Sequence, residues 1–235
     1  MEKSRLDKFI ASQLNLSRSE ARIGIKRGKA SVNNVIIRDP SVILFPEEDE
    51  VAYEGQAVSY KKYIYILMNK PAGILSASND KNRKTVVDLV PQGLKRPGLF
   101  PVGRLDKDTT GLLIITNDGD FAHKVISPKS NIEKTYIAGL DGEVTEYMVE
   151  KFAQGVVLQD GTQCKPAKLE RLDDKTAKIT ITEGKYHQIK RMFGVVGLGV
   201  NTLHRESIGH LFIPKNLLFG ECVEILSKDV EILCL

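Results

Sequence analysis

Apolar residues at Leu6, Phe9, Ile10 and Leu14 recur at helical spacing, which predicts an amphipathic helix near the start of the chain. A second helix is announced by Ser17-Arg-Ser-Glu20, a capping-box pattern. The serine side chain can accept from the third backbone N–H while the glutamate reaches back. It should run to about Lys26 or Arg27, with Gly28 as its stop. "ASVNNVII" then splits into two β-prone pieces around Asn33-Asn34, the composition of a tight hairpin turn. This first segment closes near "DEVAYEG", and "QAVSYKKY" reads as a linker.

Beyond residue 60 the patterning changes to many short strands with helices between them. "YIYILMN" is a strand that ends at Lys70-Pro71, and "TVVDLV" predicts a short helix. The uninterrupted apolar run Leu112-Leu113-Ile114-Ile115 marks a buried strand closed by Asn117-Asp118-Gly119, followed by a helical turn or two in "FAHKVIS". "EKTYIAGL" is a strand, "TEYMVEKFAQG" a helix and "GVVLQDG" a strand with a turn. "TAKITITEG" alternates strictly, as a half-buried strand does. In "YHQIKRMFGVVG", Ile189, Met192, Phe193 and Val196 share one helical face, which turns His187, Lys190 and Arg191 to the polar side. "VNTLHRESIG" and "ECVEIL" are later strands. There is no regular βαβ rhythm and no internal repeat. The expected class is α+β, with a mixed, largely antiparallel sheet flanked by helices. The expected division is a helix-rich domain at 1–58, a linker at 59–63 and a larger domain at 64–235.

Length agrees with one large domain or two unequal ones, and no apolar run approaches the ~20 residues of a membrane span. The N-terminal residues lack an apolar signal region, so a cytoplasmic protein is expected. Cys164, Cys222 and Cys234 are few and scattered, and His123, His187, His204 and His210 show no ligand spacing. Neither a disulfide framework nor a metal site is expected. Charge is uneven. Residues 1–38 hold nine Lys/Arg against three acids, a net of +6, whereas residues 39–60 hold six acids and no Lys or Arg. Arg18, Arg22 and Lys26 form one stripe on the second helix, with Arg27 and Lys29 at its end, and from 18 to 29 only Glu20 opposes them. Such a stripe is either a solvated face or a grip on phosphates, and the second makes binding strongly salt-dependent.

Candidate chemistry centres on "FPVGRLDKDTTGLLIITNDG", where a buried strand begins from a loop holding Arg104, Asp106, Lys107 and Asp108. Spacing alone leaves these open: turn acids, with Asp106 or Asp108 paired to Arg104, or a carboxylate pair for glycoside hydrolysis. Gly103, Arg104, Leu105, Asp106, Thr109, Gly111, Leu112 and Leu113 match Gly-Arg-Leu-Asp-x-x-Thr-x-Gly-Leu-Leu, which resembles the signature loop of pseudouridine synthases. "EKTY" (133–136) is similar to that family's Lys-Thr-Tyr strand, and "EGKYHQIKRMF" (183–193) to its third motif. "SRLDKFIASQLNLSRSEA" resembles the small RNA-binding domain shared with a ribosomal protein of the small subunit. "LDKFIASQL" and "YHQIKRMF" are similar to the RsuA branch, which acts on small-subunit rRNA. Large-subunit relatives more often carry Asn-Arg-Gln-x-Arg-Arg-Met in the third motif.

The resemblance implies isomerisation of one uridine in small-subunit (16S) rRNA, with no cofactor because no redox change occurs. It implies Asp106 as the catalytic nucleophile, at base C6 or at ribose C1′. Lys190 would keep that carboxylate charged, and Tyr136 would lie against the uracil and move the C5 proton. Arg104 would hold the flipped base out of its stack, Arg191 would contact phosphate and Leu203 would pack on the pocket floor. Arg18, Arg22, Lys26, Arg27 and Lys29 would bind RNA. The expected partner is ribosomal RNA, in the small subunit or its assembly intermediate, with no membrane and a monomeric protein. The rivals are a large-subunit rRNA synthase and a non-catalytic RNA-binding assembly factor.

Overall fold

In the computed structural model, residues 3–233 are described. Cys234, counted above, lies outside them. The chain divides into two compact units, one of Met1–Ile64 with Pro91–Leu99, the other of Tyr65–Val90 with Phe100–Leu235.

The first unit contains β1 (Ser4–Arg5), α1 (Leu6–Leu14), α2 (Arg18–Lys26), β2 (Ala30–Val32), β3 (Val35–Ile37), β4 (Ile43–Leu44), β5 (Val51–Tyr53) and β6 (Gln56–Ala57). The capping box forms as the sequence pattern requires: Ser17 accepts from the Glu20 N–H, and Glu20 accepts from the Ser17 N–H at 2.8 Å. Asn33 and Asn34 both take positive φ, which is the two-residue turn that joins β2 to β3. Leu6, Phe9 and Ile10 of α1 pack with Ala21 and Ile25 of α2 and with Ala30, Leu44 and Val51 from the strands. Val58 joins this core. In the stretch expected to be a linker, the Lys61 backbone N–H donates to Gln13 Oε1 at 3.1 Å.

The second unit is built on β7 (Tyr65–Lys70), β8 (Phe100–Pro101), β9 (Thr110–Thr116), α3 (Gly119–Ile126), β10 (Lys134–Leu140), α4 (Glu146–Gln154), β11 (Lys168–Arg171), β12 (Thr176–Ile181), α5 (Gln188–Val195), β13 (Val200–Ile208), β14 (Leu211–Phe212), β15 (Cys222–Glu224) and α6 (Ser227–Ile232). Among the described residues these make one nine-stranded sheet with the path β11-β12-β10-β13-β9-β7-β15, while β14 pairs with β13 and β8 with β9. Every pairing is antiparallel except β13 with β9. The sheet is therefore mixed and largely antiparallel, as expected. β9 is covered on both faces, which explains its unbroken apolar run. Leu112 and Ile114 join Leu67, Phe121, Val125 and Val230 in the core on one side.

Three local expectations are corrected. Residues 85–90 ("TVVDLV") form turns rather than a helix. Thr85 and Asp88 do make capping-box bonds, with the Asp88 carboxylate accepting from the Thr85 N–H at 2.8 Å. Pro91, however, disfavours helical backbone at Val90, and the β-branched Val86-Val87 weakens the single turn that is left. "GVVLQDG" supplies a single bridge, Val157 to Gln163, rather than a strand. The 186–196 helix begins only at Gln188, because His187 sits in the left-handed region at φ 48°, ψ 35°. His187 thus belongs to the turn before α5 and not to its polar face.

Candidate active site

The loop 103–109 enters β9 at the only parallel junction described in the sheet, where Thr110 and Gly111 face His204 and Arg205 of β13. Gly111 has φ +106°, and a Cβ there would stand 2.3 Å from the Arg205 carbonyl oxygen. No other residue fits that approach. The loop is clamped from beneath. Leu105 exchanges two hydrogen bonds with the Ser76 hydroxyl, at 2.9 and 3.1 Å, and the Gly73 N–H donates to the Lys107 carbonyl at 2.7 Å. Lys70, at the end of β7 and completely buried, donates to the carbonyls of Pro71, Asp106, Lys107 and Thr109 at 2.9–3.3 Å. Burial pushes its ammonium down to about 8, while Asp108 and Asp106 pull the other way. Lys70 escaped the sequence reading, because a lysine closing a strand usually faces water.

The clamp presents Asp106 in a cleft whose walls include Tyr136, His187, Lys190 and Leu203. The Asp106 side chain is 30% exposed, with Oδ1 3.4 Å from His187 Nε2 and Oδ2 3.9 Å from Lys190 Nζ. Lys190 reaches it from the first turn of α5. The ammonium is shared: both Asp108 oxygens accept from Lys190 Nζ at 2.7 Å. That bond holds the Asp108 carboxyl below its usual range, outweighing its partial burial. Asp108 is thus more than a turn acid, and its cation is Lys190 rather than Arg104. Arg104 is exposed on the cleft rim, with no ion pair or hydrogen bond on its side chain among the described residues.

Tyr136 stands on β10 beside the β13 strand and is 7% exposed, so its ring forms part of the cleft wall. Its hydroxyl oxygen accepts from Arg205 Nη1 at 3.3 Å, and Arg205 Nε donates to the Leu112 carbonyl at 2.7 Å. Arg205 therefore ties the tyrosine to the strand that carries the loop. Neither spacing nor motif pointed to it. Leu203 is buried and lines the cleft. The Thr109 hydroxyl is a further buried wall group, with no partner among the described residues.

Several of the expected RNA-contacting cations have acidic partners within the protein. Arg191 does not line the cleft: its guanidinium pairs with Asp160 and donates to the Tyr186 carbonyl at 3.4 Å. On α2, Glu20 is not the acid that matters, since its carboxylate is spent on the cap. Arg18 and Arg22 instead converge on the fully buried Asp7 carboxylate at 3.0 and 2.7 Å, with Arg5 at 3.2 Å, and Lys29 pairs with Glu54. Burial raises the Asp7 pKa, but the bonds from Arg22, Arg18 and Arg5 outweigh it and bring it to about 2. Lys26 and Arg27 remain exposed with no ion pair among the described residues.

A carboxylate held between an imidazole and an ammonium, next to a buried phenol, is equipped for nucleophilic and proton-transfer chemistry on a planar ring. The fold and this cleft define a base-modifying enzyme of α+β architecture. The chain belongs to the RNA pseudouridylate synthase family, whose model matches residues 64–194, and an S4 domain matches residues 4–51. It is an isomerase that converts uridine to pseudouridine in RNA. It is 38% identical over 233 residues to the uncharacterized RNA pseudouridine synthase YtzG of Bacillus subtilis, covering 97% of this chain and 98% of that one. It is 39% identical over 228 residues to ribosomal small subunit pseudouridine synthase A of Escherichia coli, covering 96% and 98%. A solved crystal structure of a pseudouridylate synthase, 37% identical, matches with a TM-score of 0.68 over 97% of this chain and 99% of that one.

Proposed function

We propose that this protein isomerises one uridine of small-subunit (16S) ribosomal RNA, with Asp106 as the nucleophile. The observation that carries the target is the near-full-length similarity to synthases named for the ribosomal small subunit. The position of Asp106, in the cleft wall within reach of Lys190 and His187, supports its role.

On this reading the target base leaves its stack, at a cost of a few kcal/mol, and enters the cleft. Arg104, whose side chain has no partner among the described residues, takes the vacated space. The ring lies against Tyr136 over Leu203. Lys190 and His187 stabilise the Asp106 carboxylate as it adds to the base or to the ribose. Glycosidic cleavage, rotation of the base and C5–C1′ bond formation follow, and Tyr136 takes part in removing the C5 proton. Arg191, paired with Asp160 and bonded to the Tyr186 carbonyl, contacts phosphate of the bound RNA. The S4 domain holds the RNA, and the reaction takes place in the cytoplasm on rRNA or an assembling subunit.

Pseudouridine mapping in rRNA from cells lacking the protein should show one small-subunit position reverting to uridine. A loss from large-subunit RNA would reassign the target. Asp106→Asn should abolish isomerisation while leaving RNA affinity within about twofold. Measurable turnover by that variant would remove Asp106 from the mechanism.

A further inference from the structure

At the lip of the cleft, between two of its wall residues, stands Tyr186, 75% exposed. Its ring is stacked on His187, with centroids 3.9 Å apart and planes 20° from parallel. One face of the phenol is thus covered by the imidazole. Exposure of that size leaves its other face open to solvent. Exposure alone is ordinary for a surface ring; what sets Tyr186 apart is the imidazole stacked on it at the cleft and the bonds that fix the turn.

The pair is held in place. His187 takes a left-handed conformation, disfavoured for a residue with a side chain, and such strain gathers at functional sites. The turn beneath is wired by Gln188, which is buried. Its Oε1 accepts from the Lys185 N–H at 2.9 Å, and its Nε2 donates to the buried Glu183 carboxylate at 2.9 Å. The Tyr186 carbonyl accepts from Arg191, itself tied to Asp160. His187 Nε2 in turn stands 3.4 Å from Asp106. The stack therefore links the rim of the cleft to the carboxylate within it.

We propose that the open face of Tyr186 is a stacking platform for a nucleobase adjacent to the target uridine. This rests on the reading of the cleft as the uridine site. When a uridine is drawn into the cleft, its neighbour in the strand loses a stacking partner at the cleft mouth, where Tyr186 stands. Arg104 at that mouth, exposed and with no side-chain partner among the described residues, favours a phosphate backbone over a protein side chain. An aromatic plane accepts any base, so the platform contributes affinity and placement rather than sequence readout.

The test uses the full-length enzyme and an RNA fragment centred on the uridine that the wild type isomerises, found by mapping. Tyr186→Ala should raise KM roughly 5- to 150-fold, as loss of one base–aromatic stack does, a larger factor than any fall in kcat from unstacking His187. Tyr186→Phe should behave as wild type. Removing the neighbouring base should cost the wild type the same factor and cost Tyr186→Ala nothing further. 2-Aminopurine at that position should be quenched on binding the wild type and not on binding Tyr186→Ala. Additive effects, an unchanged KM or a Phe variant as poor as Ala would overturn the proposal. So would a Tyr186→Ala defect seen only on protein-bound RNA, which would assign the ring to a protein partner. A wild type that isomerises no ribosomal uridine would remove the functional reading itself. Normal wild-type turnover with an unaffected Tyr186→Ala would remove the platform alone.

Discussion

Lys70 shows how much of this cleft depends on a residue with no chemical task of its own. A buried ammonium is costly unless its lost water is replaced, and here four loop carbonyls replace it. Lys70→Met should leave those carbonyls unpaired, at about 1–3 kcal/mol for each one that water cannot reach. Thermal unfolding should register the loss, and kcat should fall because the Asp106 backbone is no longer fixed. The pH signature has a definite sign. A folded pKa near 8, against an ordinary 10.5, means the unfolded chain binds more protons in that window. Stability should rise from pH 8 to 10.5, and in Lys70→Met that rise should shrink. A remainder should persist from Lys134, which burial also pushes down to about 8. Sequence alone could not disclose this residue, because three of the four carbonyls lie 36 to 39 positions further on. Asp106, Tyr136 and Lys190 were legible through motif resemblance, whereas spacing by itself left the two aspartates as turn acids or a carboxylate pair. Arg205 and the His187 contact with Asp106 were illegible, since both depend on the β9–β13 and loop–α5 approaches.

Elements were more readable than side chains wherever one period dominated. Both N-terminal helices, the Asn-Asn hairpin and the buried β9 strand follow from local pattern and capping. Patterns failed where backbone conformation overrode them, as Pro91 does after residues 85–90 and left-handed His187 does before α5. The basic face of α2 is the instructive case. Its spacing was right, but an acid on α1 claims two of its arginines, and no sequence window spanning only α2 contains Asp7. Asp7→Asn should destabilise this unit by about 1.5–3 kcal/mol, the range for hydrogen bonds to charged groups. Because the folded carboxyl titrates near 2 rather than at the usual 3.8, its contribution is complete above pH 3.8. It should vanish as pH falls toward 2. Hydrogen exchange of the α1 and α2 amides reports it directly: protection should drop in Asp7→Asn at neutral pH and converge with wild type near pH 2. An undiminished protection at pH 7 would make the arginine cluster incidental.

At the scale of the whole molecule, the proposed function divides the work between two units on one chain, one to hold RNA and one to convert it. Tethering raises the effective concentration of substrate at the cleft without any new catalytic contact. Cations free of internal partners should then govern affinity alone. Lys26 and Arg27 are the clean choices, because neutralising Arg18 or Arg22 would also break the Asp7 cluster and confound binding with stability. If each of the two covers one phosphate, Lys26→Gln with Arg27→Gln should lessen the slope of log affinity against log salt by roughly 1.4–1.8. KM should rise accordingly, most at low salt, and kcat at saturating RNA should stay at the wild-type level. Asp106→Asn should show the mirror image, with kcat lost and the salt slope intact. Measuring both variants over one salt series sets the two units against each other in a single plot. A double variant whose kcat falls with its affinity would mean that the basic helix takes part in the chemical step, and the division of labour would have to be abandoned.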